Sequence, residues 1–192
     1  MAFLEPDHFS RSLFGMVVSP FLPGGFRLPS SKPFAPPARK PFRAEPHRPT
    51  MLITQGAYTA IMRDLASRTF QREQGGILLG PKDTPDLVTH YVKDEWGTGR
   101  TTSFTISPDH LNRIIDSVRP ANMTCVGMVH SHPPGICQAS HGDMQFLHRI
   151  FSNPKNGGGR FLFPIVCNGK LHPYVVDTSD VSRIVTADLL LV

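Results

Sequence analysis

At 192 residues, 40% of them hydrophobic, the chain has room for one globular domain and an appendage, not for two full domains. Its formal net charge of +5 invites a nucleic-acid or membrane partner, but the excess is uneven. Residues 1–49 carry seven Lys/Arg against Glu5, Asp7 and Glu45, whereas residues 50–192 carry thirteen against twelve acids, so no broad basic face, and no nucleic-acid role, is expected of the second part.

Residues 1–49 hold about half of the prolines with no helical or alternating period, and proline fixes φ and removes a backbone donor. They are expected to form a basic, disordered tail, in which only the apolar patch 13–22 could dock on the domain or on a partner. The first residues lack the basic region of a signal peptide, and no apolar run nears the roughly 20 residues of a membrane span. Cys125, Cys137 and Cys167 are odd in number and widely spaced, so neither a disulfide framework nor a structural zinc knot is expected. Cys125 and Cys167 read as core; Cys137, in the loop after His132, reads as a bystander, with a ligand or a redox sensor as the alternative; and the compartment reads as a reducing cytoplasm.

The domain is expected over residues 50–192. A short strand at 51–53 leads to a helix capped by Thr54, with Tyr58, Ile61, Met62 and Leu65 at helical spacing. Glu73 stands before a strand at 75–80, and further strands read at 87–92 and 103–106, joined by a polar connector at 94–100 that is either a substrate-facing flap or an ordinary loop. Ser107-Pro108 opens a helix whose Leu111, Ile114, Ile115 and Val118 make one face, ended by Arg119-Pro120. After the stretch 123–151, strands are expected at 161–167, 171–176 and 183–192, with Asn168-Gly169 as a hairpin turn.

The chemistry concentrates at 127–143. Residues 123–129 are apolar enough for a buried strand, and its two-residue repeat projects His130 and His132 from one face. Pro133-Pro134-Gly135 breaks the strand, and the loop can bring Asp143 back. Two imidazoles and a carboxylate would satisfy a catalytic zinc ion (Zn2+), which takes three protein ligands and keeps a position for water. Each part also has a plainer reading. Ser140 and Asp143 match a capping box on a helix with Met144, Leu147, Ile150 and Phe151 as its apolar face, and two histidines at a strand end are often polar surface.

Taken together, Glu73, then His130-Ser131-His132, seven residues, Ser140, two residues and Asp143 resemble the JAMM pattern of the JAB/MPN metalloprotease family, with no position departing from it. Glu73-Gln-Gly-Gly-Ile-Leu-Leu-Gly80 is similar to that family's acid-bearing strand, and the resemblance covers roughly residues 50–192. It implies an α+β fold, a JAB/MPN (cytidine-deaminase-like) mixed β-sheet flanked by helices. It also implies zinc on His130, His132 and Asp143, with Glu73 and Ser140 as catalytic residues. Glu73 would shuttle the proton from water to the departing amine, and Ser140 would donate to the oxyanion.

Members of that family cleave after the C-terminus of ubiquitin or a ubiquitin-like protein. The compact bacterial kind, which the short segments beside this motif resemble, accompanies E1-like and E2-like proteins in conjugation and antiphage systems. Two alternatives stand beside this one. A DNA-associated protein of the RadC group has a similar His-x-His-Pro-x-Gly loop, but residues 1–49 show no helix-hairpin-helix and the domain is nearly neutral. A non-catalytic MPN scaffold typically loses ligands or the Glu, whereas all five positions are present here.

Overall fold

The computed structural model of the chain describes residues 47–66, 71–95, 106–156 and 158–192. The expected tail with its patch at 13–22 lies outside them, apart from residues 47–49. So do residues 96–100 of the connector and residues 103–105 of the strand expected at 103–106. The described residues all fall in the unit Ala44–Val192.

Strand β1, Thr50–Ile53, leads into helix α1, Gln55–Ile61, whose cap Thr54 accepts from the Ala57 amide. A turn with π geometry, Met62–Ala66, continues it and buries Leu65. β2, Gly75–Pro81, follows. The run expected as one strand at 87–92 is two, β3 (Leu87–Val88) and β4 (His90–Lys93). Thr89 makes the break: its amide and hydroxyl both donate to the Leu79 carbonyl, while its own carbonyl accepts from the Thr54 hydroxyl.

Helix α2, Pro108–Val118, starts at Ser107 and closes in a tight turn at Arg119–Ala121. β5, Met123–Ser131, and helix α3, His141–Phe151, carry the motif. The strand expected at 161–167 is split into β6 (Arg160–Leu162) and β7 (Ile165–Cys167), because Pro164 has no amide to offer a ladder. Asn168 and Gly169, at φ of 52° and 71°, turn β7 into β8 (Lys170–His172), as expected of that pair. Pro173 separates β8 from β9 (Tyr174–Asp177), and the last run divides at buried Ala187 into β10 (Asp180–Thr186) and β11 (Asp188–Leu191).

The main sheet is mixed, in the order β10-β9-β6-β5-β2-β4, with the β7–β8 hairpin attached to the end of β5. β5 is antiparallel to β2 and parallel to β6 and β7. A small parallel sheet, β11-β1-β3, was not foreseen. The fold is the expected α+β arrangement of a mixed sheet flanked by helices.

Two apolar clusters cover the two faces of the main sheet. Leu78, Val126 and Val129 pack with Met51, Ile53, Ala57 and Ile61 from β1 and α1. Ile77, Met128, Leu147 and Phe163 pack with Leu111 and Ile114 of α2 and Ile150 of α3. Val126 and Met128, two residues apart, would share a face in a regular strand. They do not, because β5 carries one residue more than β2 between Gly127 and Cys125, a bulge that reverses the alternation. Gly127 is required there, since a Cβ would run into the Leu162 carbonyl of β6.

The bulge puts Met128 on the α3 side, and two-residue spacing carries His130 to that side too, where its ring lies 4.8 Å from Phe163. Leu147, fully buried in the same cluster, fixes α3 against the sheet. Leu147→Ala is expected to cost about 2–5 kcal/mol, the usual range for emptying such a position, read as a lowered midpoint in urea unfolding. Among the described residues no helix is long and apolar enough to cross a membrane.

Candidate metal centre

The β2–β5 ladder brings Gly75 opposite His130, and one step further Ser131 locks the two strand ends. Its amide donates to the Gln74 carbonyl at 2.7 Å, and its hydroxyl accepts from the Gln74 amide at 3.1 Å. Glu73, the preceding residue, is thereby held within electrostatic reach of His132 and Asp143 and is only 3% exposed. An acid so deeply buried is rare without a compensating group. Ser131, the middle residue of His-x-His, drew no notice as a positioning group in the sequence because nothing in the spacing marks its partner 57 positions away.

His130 Nε2 and His132 Nε2 are 2.8 Å apart. The Asp143 carboxylate closes the triangle, Oδ1 at 3.1 Å from His130 and Oδ2 at 3.2 Å from His132. All three residues are buried. Tetrahedral zinc with bonds of about 2.0–2.1 Å separates its ligand atoms by about 3.3 Å, so a small outward movement would admit the ion. His132 Nδ1 lies 3.0 Å from the Ile136 carbonyl and donates to it, which leaves Nε2 free to act as a ligand. The donor set therefore fits zinc.

The electrostatics agree with the geometry. Burial lowers His130 below the ordinary imidazole range despite its hydrogen bond to Asp143. Burial works the same way on His132, but Asp143, Glu73 and the Ile136 carbonyl outweigh it and raise that group. Asp143 would also be raised by burial, yet the hydrogen bonds from both histidines hold it well below the usual carboxylate range. An ionised carboxylate thus stands beside an imidazole that burial favours in its neutral form, the protonation states in which both groups can act as ligands. Burial pushes the Glu73 carboxyl up to about 7, with His132 opposing and Asp143 reinforcing.

Ser140 and Asp143 form the capping box of α3. The Ser140 hydroxyl accepts from the Asp143 amide at 3.2 Å, and Asp143 Oδ2 accepts from the Ser140 amide at 2.6 Å and from its hydroxyl at 2.7 Å. The capping and metal readings of Asp143 are therefore compatible: one carboxylate, at a helix N-terminus that favours its charge, serves both geometries. His141 and His148 are exposed and outside the cluster. Of the connector, Asp94 is buried and Glu95 exposed, and its remainder lies outside the described residues.

The cysteine expectation needs correction. Cys137 and Cys167 form a disulfide across 30 residues, their Cα atoms 5.3 Å apart. The loop after Pro134 folds back on the β7–β8 hairpin because β7 pairs with the end of β5, a proximity that no local spacing announces. Cys137 is not a bystander, and the cysteines no longer argue for a reducing compartment. Cys125 is the free one, its thiol pushed up to about 11 by burial. His172 also lies near the bonded pair.

A cavity of about 280 Å³ adjoins His132, between the segment bearing Arg72 and Gln74 and the turn at Asn168. A larger cleft, about 1080 Å³ between β1 and β9–β10, contains none of the five motif residues.

The model of a family described as prokaryotic homologs of the JAB domain matches residues 55–177, which include all five motif residues. A protein from Desulfitobacterium hafniense, known from a solution structure, superposes with a TM-score of 0.53 at 13% identity, covering 74% of this chain and 92% of that one. A JAB1/MPN domain protein from Archaeoglobus fulgidus gives a TM-score of 0.42 at 19% identity, covering 73% and 99%. No curated protein matches the sequence at a significant level.

Proposed function

The chain belongs to the family of prokaryotic JAB domains, and on that premise we propose that it is a zinc-dependent isopeptidase cleaving after the C-terminus of a ubiquitin-like protein. What supports this is the convergence of His130, His132 and Asp143 at one strand end, with a separate buried carboxylate, Glu73, beside them.

When bound there, zinc would polarise the scissile carbonyl and acidify the attacking water. Glu73, outside the cluster of converging ligand atoms, takes the proton from that water and delivers it to the departing amine. Burial, which raises the Glu73 carboxyl, favours its taking up that proton. Ser140 now spends its hydroxyl proton on Asp143 Oδ2. Rotation about its Cβ–Oγ bond would redirect that proton towards the developing oxyanion.

At about 280 Å³, the cavity beside His132 has room for a few residues of an extended chain and not for a folded surface, which suits a flexible modifier tail. E1-like and E2-like proteins of a bacterial conjugation or antiphage system are the partners this reading implies. The test offers the purified protein a ubiquitin-like protein fused through its C-terminus to a reporter, beside casein and duplex DNA. The expected result is chelator-sensitive cleavage at the modifier's C-terminus alone. Broad casein digestion would replace this reading with an unselective peptidase. Tight DNA binding without cleavage would favour the RadC-like alternative, and zinc binding without any cleavage a scaffold.

A further inference from the structure

The loop between His132 and Ser140 is tied to the β7–β8 hairpin at several points, and all of them bear on one imidazole. The His132 amide donates to the Val166 carbonyl at 3.0 Å, so β7 holds its backbone. Its ring is held from the other side by the Ile136 carbonyl. The Ile136 side chain is half exposed and anchors nothing by burial. The Ile136 amide donates to the Pro133 carbonyl at 3.1 Å, and its carbonyl side is held by the next residue: Cys137 is bonded to Cys167, one position beyond Val166, and its own carbonyl accepts from the Tyr174 hydroxyl at 2.8 Å. The Gly135 amide also donates to the side-chain oxygen of Asn168 at 3.1 Å.

We propose that the Cys137–Cys167 disulfide and Tyr174 are a positioning device for His132: they hold the Ile136–Cys137 backbone so that its carbonyl orients the imidazole towards the metal. The proposal rests on reading His130, His132 and Asp143 as metal ligands. The same crosslink closes a loop containing Ser140 and Asp143, so it restrains the third ligand as well. Outer partners of ligating histidines typically contribute 10–100-fold in metal affinity. Reduction of the crosslink therefore loosens the metal centre without touching a ligand. A phosphine reductant achieves this with balanced chemistry: the S–S bond accepts two electrons, water supplies two protons to the thiols, and its oxygen ends on the phosphine oxide.

The test measures zinc affinity by competition with a chromogenic chelator, on the full chain, for the parent, Cys137→Ser/Cys167→Ser and Tyr174→Phe. The double variant is expected to bind zinc about 10–100-fold more weakly and Tyr174→Phe, which keeps the crosslink, about 3–10-fold more weakly. Combining all three should give less than the product of the two effects, because they act on one backbone segment. Unchanged affinity in folded variants, with only a lowered unfolding temperature, would overturn the positioning role and leave a structural staple. A second zinc taken up by the reduced parent and lost in His172→Ala would also overturn it, making the cysteines ligands. A parent that binds no zinc at all would overturn the metal reading itself, and this proposal with it.

Discussion

Glu73→Gln is expected to retain fold and zinc while turnover falls roughly 10²–10⁴-fold, the range that general acid–base catalysis contributes. Glutamine matches glutamate in size and can fill the same buried position beside Gln74, whose links to Ser131 involve main-chain atoms and survive the change. What it lacks is the ability to accept a proton from water and return it to an amine. Because Glu73 is not among the atoms of the ligand cluster, metal content should stay at the parent level. Single-turnover cleavage of the reporter fusion, with elemental analysis of the same sample, separates chemistry from binding. Near-parent turnover would remove Glu73 from the mechanism, and loss of zinc would make it a ligand.

What was legible in the sequence was local. The two-residue spacing of His130 and His132 foretold that their side chains meet, and the Ser140–Asp143 spacing foretold a capping box, because both follow from the geometry of a single element. That Asp143 meets both histidines as well as capping α3 was not legible, since it depends on which sheet face α3 covers. That is settled by the bulge at Val126, which sends Met128 and His130 to the side of Leu147. A bulge has no residue signature here apart from Gly127, whose need for close approach to Leu162 is itself a tertiary fact. Strand boundaries failed where a residue serves two sheets or none. Pro164 and Pro173 lie within runs read as continuous, and Thr89 and Ala187 mark changes of sheet. The disulfide and the contacts of Ile136, Asn168 and Tyr174 join segments about 30 residues apart or stabilise such a junction, so spacing could not show them.

Removing a ligand should have the larger effect on the metal itself. Elemental analysis of protein never exposed to chelator is expected to find close to one zinc per chain, and His132→Ala little or none. Without that imidazole two donors remain, His130 and Asp143, and catalytic zinc sites ordinarily use three protein ligands. His132→Ala also releases the Ile136 carbonyl, so a second variant is needed to show that a lost donor, not a loosened loop, is responsible. Asp143→Asn serves. It keeps the size of the side chain and an oxygen for the Ser140 amide, but it removes the negative charge on which both imidazoles converge. Both variants should therefore lose zinc although only one disturbs the loop. They should also lose the stabilisation that zinc confers on the parent, about 2.7 kcal/mol when free metal is at a hundred times its dissociation constant, seen as an unfolding temperature that no longer rises with added zinc. Zinc equal to the parent's in either variant would show that these residues are not the ligands.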